Sequence, residues 1–219
     1  MQSVSLTRNN GAPVNVLCLG AHSDDIEIGC GGAMLSMIAD GVPLNVYWAV
    51  FCAQHERAEE ARKSADALLA GVRSSTVAVA SFRDGFLPYE GTAVKEHFEA
   101  IKSAFAPEMI FTHYRDDRHQ DHRLIAELTW NTWRDNFILE YEVPKYDGDF
   151  GSPNLFVPLS DALCRRKVDH ILSAFPSQRR AKHWFSEDTF VAVARLRGME
   201  AGPGHRFAEA FYCRKAVLR

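Results

Sequence analysis

His22, Asp24 and Asp25 stand together in the stretch Gly20-Ala21-His22-Ser23-Asp24-Asp25. An imidazole and a carboxylate three residues on can both reach one cation, which leaves the middle Asp24 free to handle a proton. The plainer alternative is a capping turn, in which Asp24 or Asp25 accepts helix N–H groups and His22 is incidental. A second stretch weighs against it. His113-Tyr114-Arg115-Asp116-Asp117-Arg118-His119-Gln120-Asp121-His122 holds three of the 9 histidines, interleaved with three aspartates. Solvated charged loops seldom collect histidines. Imidazole plus carboxylate, with no cysteine in either stretch, suits a catalytic Zn²⁺ that keeps one position open for water.

Each stretch follows a short apolar run and precedes a helical pattern. Val14 to Leu19 reads as a buried strand, β-branched at two positions and preceded by Pro13. Ile26 to Ala39 reads as a helix with early glycines. Pro43 to Phe51 reads as a second strand and Gln54 to Leu69 as a second helix, with Gly71 as its C′ residue. Thr76 to Ala80 is the third strand and Thr92 to Phe105 the third helix, stopped by Pro107. Met109 to Thr112 leads into the histidine-rich stretch, a helix follows around Leu124 to Trp133, and Phe137 to Val143 makes a fifth strand. From about Pro144 the pattern loosens into turn-rich sequence that reads as a mobile loop. Ser160 to Phe175 and Glu187 to Met199 are expected helices, and Phe207 to Leu218 a closing strand.

This alternation predicts an α/β chain: a Rossmann-like, doubly wound, mostly parallel sheet with helices on both faces. It is expected as a single domain over 1–219, with a loose lead-in over 1–12 and a more variable part over 144–219. Strand order 3-2-1-4-5 sets strands 1 and 4 side by side at the switch point. The two motifs follow those strands and would share one crevice. A dinucleotide site is disfavoured, because no G-x-G-x-x-G follows strand 1.

Composition narrows the partners. A net charge of −3 argues against a general nucleic-acid or anionic-membrane binder. The 5 cysteines are scattered and odd in number, which argues against a disulfide framework. No window is apolar enough to span a bilayer and Met1 to Asn10 lacks a signal-peptide core, so the expectation is a cytoplasmic protein.

His22-Ser23-Asp24-Asp25 resembles the HPDD motif, and His119-Gln120-Asp121-His122 the HxDH motif, of the LmbE-like (PIG-L) zinc-dependent N-deacetylases. The closing Phe207-Ala208-Glu209-Ala210-Phe211 is similar to that family's usual ending. Ser23 departs from the motif by replacing its proline, which removes a φ constraint from the turn. The resemblance implies His22, Asp25 and His122 as ligands of one Zn²⁺ or another divalent ion. It implies Asp24 as general base, a protonated His119 supporting the oxyanion or the departing amine, and Asp121 orienting a histidine. Arg57 matches a substrate-contacting position, and Asp84 is a second candidate for a sugar hydroxyl, against a plain Asp-Gly turn. The expected activity is hydrolysis of the acetamide of an N-acetylglucosamine-type sugar or sugar conjugate to free amine and acetate. A metal-dependent phosphoesterase and a non-catalytic sugar-binding domain are the alternatives. The substrate is a small molecule, and the oligomeric state is open, a homo-oligomer included.

Overall fold

β1 (Val14–His22) lies at the centre of the sheet because neither of its faces suits water. Val16 and Cys18 pack into one core with α1 (Asp25–Ala39), α2 (Glu56–Leu68) and α5 (Asp161–Ala174). Leu17, Leu19 and Ala21 point the other way, into a core shared with α3 (Gly91–Ala104) and α4 (Gln120–Thr132). Covering both faces with helices is how a parallel sheet is buried. The computed structural model describes residues 11–217, so the predicted lead-in falls outside the described residues except at Gly11 and Ala12.

β2 (Leu44–Cys52), β3 (Ser74–Val79), β4 (Met109–His113) and β5 (Phe137–Tyr141) join β1 in parallel, in the order β3-β2-β1-β4-β5. Beyond β5 the sheet turns antiparallel: β7 (Phe207–Cys213) pairs with β5 on one side and β6 (Leu155–Leu159) on the other. The fold is therefore the expected doubly wound α/β sheet, seven-stranded among the described residues. Two elements go beyond the sequence reading, β6 and the short α6 (Pro176–Ala181), which precedes α7 (Glu187–Glu200). Several boundaries shift as well. β1 runs on to His22, β5 stops at Tyr141, α4 begins at Gln120, and β7 ends at Cys213. Gly71 is absent from the left-handed region, so it is not a C′ cap; its need is space, since a Cβ there would lie 2.6 Å from Ile38.

α1, which begins with Asp25, is held against the sheet by two close approaches. A Cβ at Gly29 would lie 2.0 Å from the Tyr141 ring, whose hydroxyl donates to the Leu19 carbonyl at 2.6 Å. In mid-helix, the Gly32 and Ala33 N–H groups each donate to the Glu209 carboxylate at 2.6 Å. Lys167 completes the set, donating to Glu209 at 2.5 Å and to the Ile28 carbonyl at 2.6 Å. All of these groups are buried, and no charge among them is left alone.

The turn-rich segment after β5 is fastened rather than loose. Glu142 accepts from Gly151 N–H, from the Tyr212 hydroxyl and from Arg197. Lys145 bridges Asp149 and Asp117 at 2.6 and 2.9 Å. Among the described residues, no helix is long and apolar enough to cross a membrane.

Candidate active site

The carboxyl ends of β1 and β4 bring the two motifs to one crevice. β1 ends in His22, the chain turns at Ser23 and Asp24, and Asp25 opens α1. The turn is closed from within, His22 N–H donating to Asp25 Oδ2 at 2.6 Å. From β4 the chain passes through Asp117 and His119 into the first turn of α4, which carries Asp121 and His122.

His22 Nδ1 lies 3.1 Å from His122 Nε2 and 3.2 Å from Asp25 Oδ2, and the last two atoms are 3.4 Å apart. Ligands around a tetrahedral ion with bonds of 2.0–2.1 Å stand about 3.3 Å apart. Two ring nitrogens and a carboxylate oxygen at these separations repel one another unless a proton or a metal cation sits among them. The donor set therefore fits a divalent metal ion. Other donors also converge within 4.8 Å, namely His113, His119, Asp84 and Asp121. Most of these are already engaged. His113 Nε2 accepts Ala21 N–H, His119 Nδ1 accepts Asp121 N–H, and Asp121 accepts Gly85 and Leu87 N–H.

Each of these two histidines is steered by a carboxylate on its far nitrogen. His22 Nε2 faces Asp121 Oδ2 at 3.3 Å and Asp84 Oδ1 at 3.1 Å. His122 Nδ1 faces Asp117 Oδ2 at 2.9 Å. Such contacts fix the tautomer and aim the remaining nitrogen. Asp117 carries no role in the sequence reading. Its signal is local: its other oxygen accepts the N–H of His119 at 2.7 Å, two residues on, as in an Asx turn. Lys145 and His113 also escape that reading, although His113 belongs to the second stretch. It is fully buried, beside Asp25 and stacked on His122 at 3.9 Å.

The charges divide sharply between the adjacent aspartates. Burial pushes the Asp25 carboxyl up, but His122, His113 and His22 outweigh it and hold Asp25 well below the usual carboxylate range. Asp24 is raised, by burial and then by Asp25, against the opposing pull of Lys182, Arg57 and His22. Burial opposes charge on His22, yet Asp25, Asp121 and Asp84 hold its pKa well above the ordinary value. The acidic surroundings that favour a proton there favour a metal cation equally.

Asp24 occupies the N-cap of α1 without making a capping hydrogen bond. It is 2 % exposed and lines the cleft together with His22, Asp25, Asp84, His119, His122, Lys145, Lys182 and Trp184. Its carboxylate accepts from the Ser23 hydroxyl at 3.4 Å. α4 is capped instead by His119, whose Nδ1 accepts Asp121 N–H at 3.2 Å. That bond places the proton of a neutral His119 on Nε2. Burial, then His22, lower its pKa, so His119 stands as a neutral donor rather than the protonated group expected.

Arg57 and Asp84 pair with each other at 2.8 Å, and Asp84 alone of the two lines the cleft. Gly85, with φ +81°, forms the turn that Asp-Gly announces.

Among solved structures, the N,N'-diacetylchitobiose deacetylase of Pyrococcus horikoshii superposes with TM-score 0.64 at 22% identity, over 90% of this chain and 82% of that one. A 4-carboxy-2-hydroxymuconate hydratase from Pseudomonas putida KT2440 gives TM-score 0.72 at 17% identity, over 94% and 98%. A teicoplanin deacetylase in a zinc-inhibited form gives 0.67 at 14%, over 91% and 97%. At these identities the likeness is one of fold. The family model described as PIG-L, GlcNAc-PI de-N-acetylase, matches residues 17–133, more than half of the chain and the whole of both motifs. The chain thus belongs to the PIG-L family.

Proposed function

We propose that this protein is a Zn²⁺-dependent N-deacetylase that hydrolyses the acetamide of an N-acetylglucosamine-type sugar or sugar conjugate. The observation that carries the reading is Asp24: a buried carboxylate with a raised pKa, free of any capping role, beside three convergent metal donors. His22, Asp25 and His122 would hold the ion. Bound there, Zn²⁺ supplies a Lewis acid for the acetyl carbonyl and for water.

The chain's own groups do the rest. Asp24 takes a proton from the attacking water as general base; a raised pKa brings it nearer the working pH, where such bases are most effective. The C–N bond breaks as the amine nitrogen gains that proton, leaving acetate and free amine. His119 presents Nε2–H to the cleft and donates a hydrogen bond to the oxyanion that develops on the acetyl group. Asp121 and Asp117 do not react; they aim His22 and His122. Asp84, held by Arg57, stands at the cleft wall in reach of a sugar hydroxyl.

The test is a panel of N-acetyl sugars assayed for stoichiometric acetate and amine, with metal content measured on the same protein. About one Zn²⁺ per chain and chelator-sensitive release are expected. Activity that survives a strong chelator in metal-free protein would overturn the ligand assignment. Hydration of an unsaturated acid in place of amide hydrolysis would overturn the deacetylase reading.

A further inference from the structure

Lys145 has no task in the proposed chemistry, yet it is bound to the carboxylate that steers His122. Its side chain is 9 % exposed, and its ammonium donates to Asp117 Oδ2 at 2.9 Å and to the Val143 carbonyl at 3.3 Å. It also pairs with Asp149 Oδ2 at 2.6 Å. Asp117 Oδ2 is the same oxygen that faces His122 Nδ1 at 2.9 Å. One carboxylate oxygen thus stands between an imidazole on α4 and an ammonium from the segment after β5.

Burying an ammonium is costly unless carboxylates answer it. Asp149 alone would answer a lysine that merely fastened the segment, and Asp149 reaches the histidine-rich loop by itself, accepting Arg118 N–H at 2.7 Å. The second contact, to Asp117, therefore needs its own explanation. Asp117 Oδ2 and Asp149 Oδ2 both lie within 2.9 Å of the Lys145 nitrogen. Without the cation these two covered carboxylates would face each other as like charges and repel. Relief of that repulsion would draw Asp117 off His122 Nδ1.

Resting on the assignment of His122 as a ligand, we infer that Lys145 is a positioning residue of the metal centre. It holds Asp117 Oδ2 in place against Asp149, so that His122 keeps Nε2 aimed at the ion. Charge and steering act in opposite directions here. Removing a cation near the site would by itself strengthen Zn²⁺ binding. Releasing Asp117 would weaken it, as loss of the outer partner of a ligating histidine does by roughly 10–100-fold. The sign of the change tells the two apart.

The experiment measures Zn²⁺ dissociation constants of the full chain, stripped of metal and titrated against a competing chelator. Wild type, Lys145→Met, Asp117→Asn and the double variant are compared, with thermal melts of the metal-free proteins to show that each is folded. Lys145→Met is expected to weaken Zn²⁺ about ten-fold, and to weaken it no further once Asp117 is replaced. If Lys145→Met does not fold, Lys145→Gln takes its place under the same expectation. Unchanged or tighter binding in the lysine variant overturns the inference. So does an equal loss in the Asp117→Asn background, because Lys145 would then act on the fold at large. Wild type that binds no Zn²⁺ overturns the ligand assignment itself, and the inference with it. The constants are read without substrate, so they decide for Lys145 whichever amide the protein hydrolyses.

Discussion

Asp24 and Asp25 are neighbours with the same side chain and, in the proposed mechanism, opposite tasks, and their surroundings account for the difference. Asp25 sits among three imidazoles, whereas at Asp24 burial and the like charge of Asp25 outweigh the pull of Lys182, Arg57 and His22. Asp24→Asn should keep metal content near wild type and lower turnover by roughly 10²–10⁴, mostly in kcat. Asp25→Asn should lose metal first, with activity partly restored by added Zn²⁺. Metal analysis and turnover of both variants check this; metal loss in Asp24→Asn with retention in Asp25→Asn would reverse the two assignments. Ser23 is the family motif's missing proline, and it makes only long contacts, 3.4 Å each, to Asp24 and Arg57. Ser23→Pro should therefore leave metal binding and folding intact. Loss of either would mean that the turn needs a conformation proline forbids.

At the scale of elements, α1 is the part on which the site's position depends. Glu209→Ala would strand the Lys167 ammonium in the core and should cost about 3–5 kcal/mol of stability. Replacing both, as Lys167→Met with Glu209→Leu, should recover much of that loss, and urea titrations of the three variants measure it. Gly29→Ala, which drives a methyl into the Tyr141 ring, should cost about 1–3 kcal/mol. A cost near zero would mean that Tyr141 can step aside. The strands β1 to β5 and their order were legible because each is a compact apolar run closed by turn residues. β6 and α6 were not. β6 is five residues long with Pro158 within it, tolerable only because it is an edge strand. α6 spans six residues and is too short to show a period. The site divides along the same line. His22, Asp24, Asp25, His119, Asp121 and His122 stand in motifs that chemistry alone can single out. Asp117, Lys145 and Lys182 acquire their positions from loop geometry and from α6, which no local pattern encodes.

For the molecule as a whole, the donors belong to sequence neighbourhoods that only the native sheet unites. His22 and His122 are 100 residues apart and meet because β1 pairs with β4. An unfolded chain would have to close that long loop to offer both imidazoles at once, so the complete donor set belongs to the native state. Metal at a hundred times its Kd should then stabilise the protein by about 2.7 kcal/mol. His122→Ala should abolish that gain, and thermal melts with and without Zn²⁺ check it. Because the stabilising contact forms last, it should act on one rate only. Unfolding should slow by about a hundred-fold with bound metal while refolding keeps its metal-free rate, as separate limbs of a chevron would report. Faster refolding in Zn²⁺ would instead mean that His22 and Asp25, three residues apart, catch the ion before the sheet assembles. With the expected pattern, the chain folds first and is loaded with metal afterwards, so newly made protein would pass through a folded, metal-free and inactive stage whose length is set by the supply of the ion.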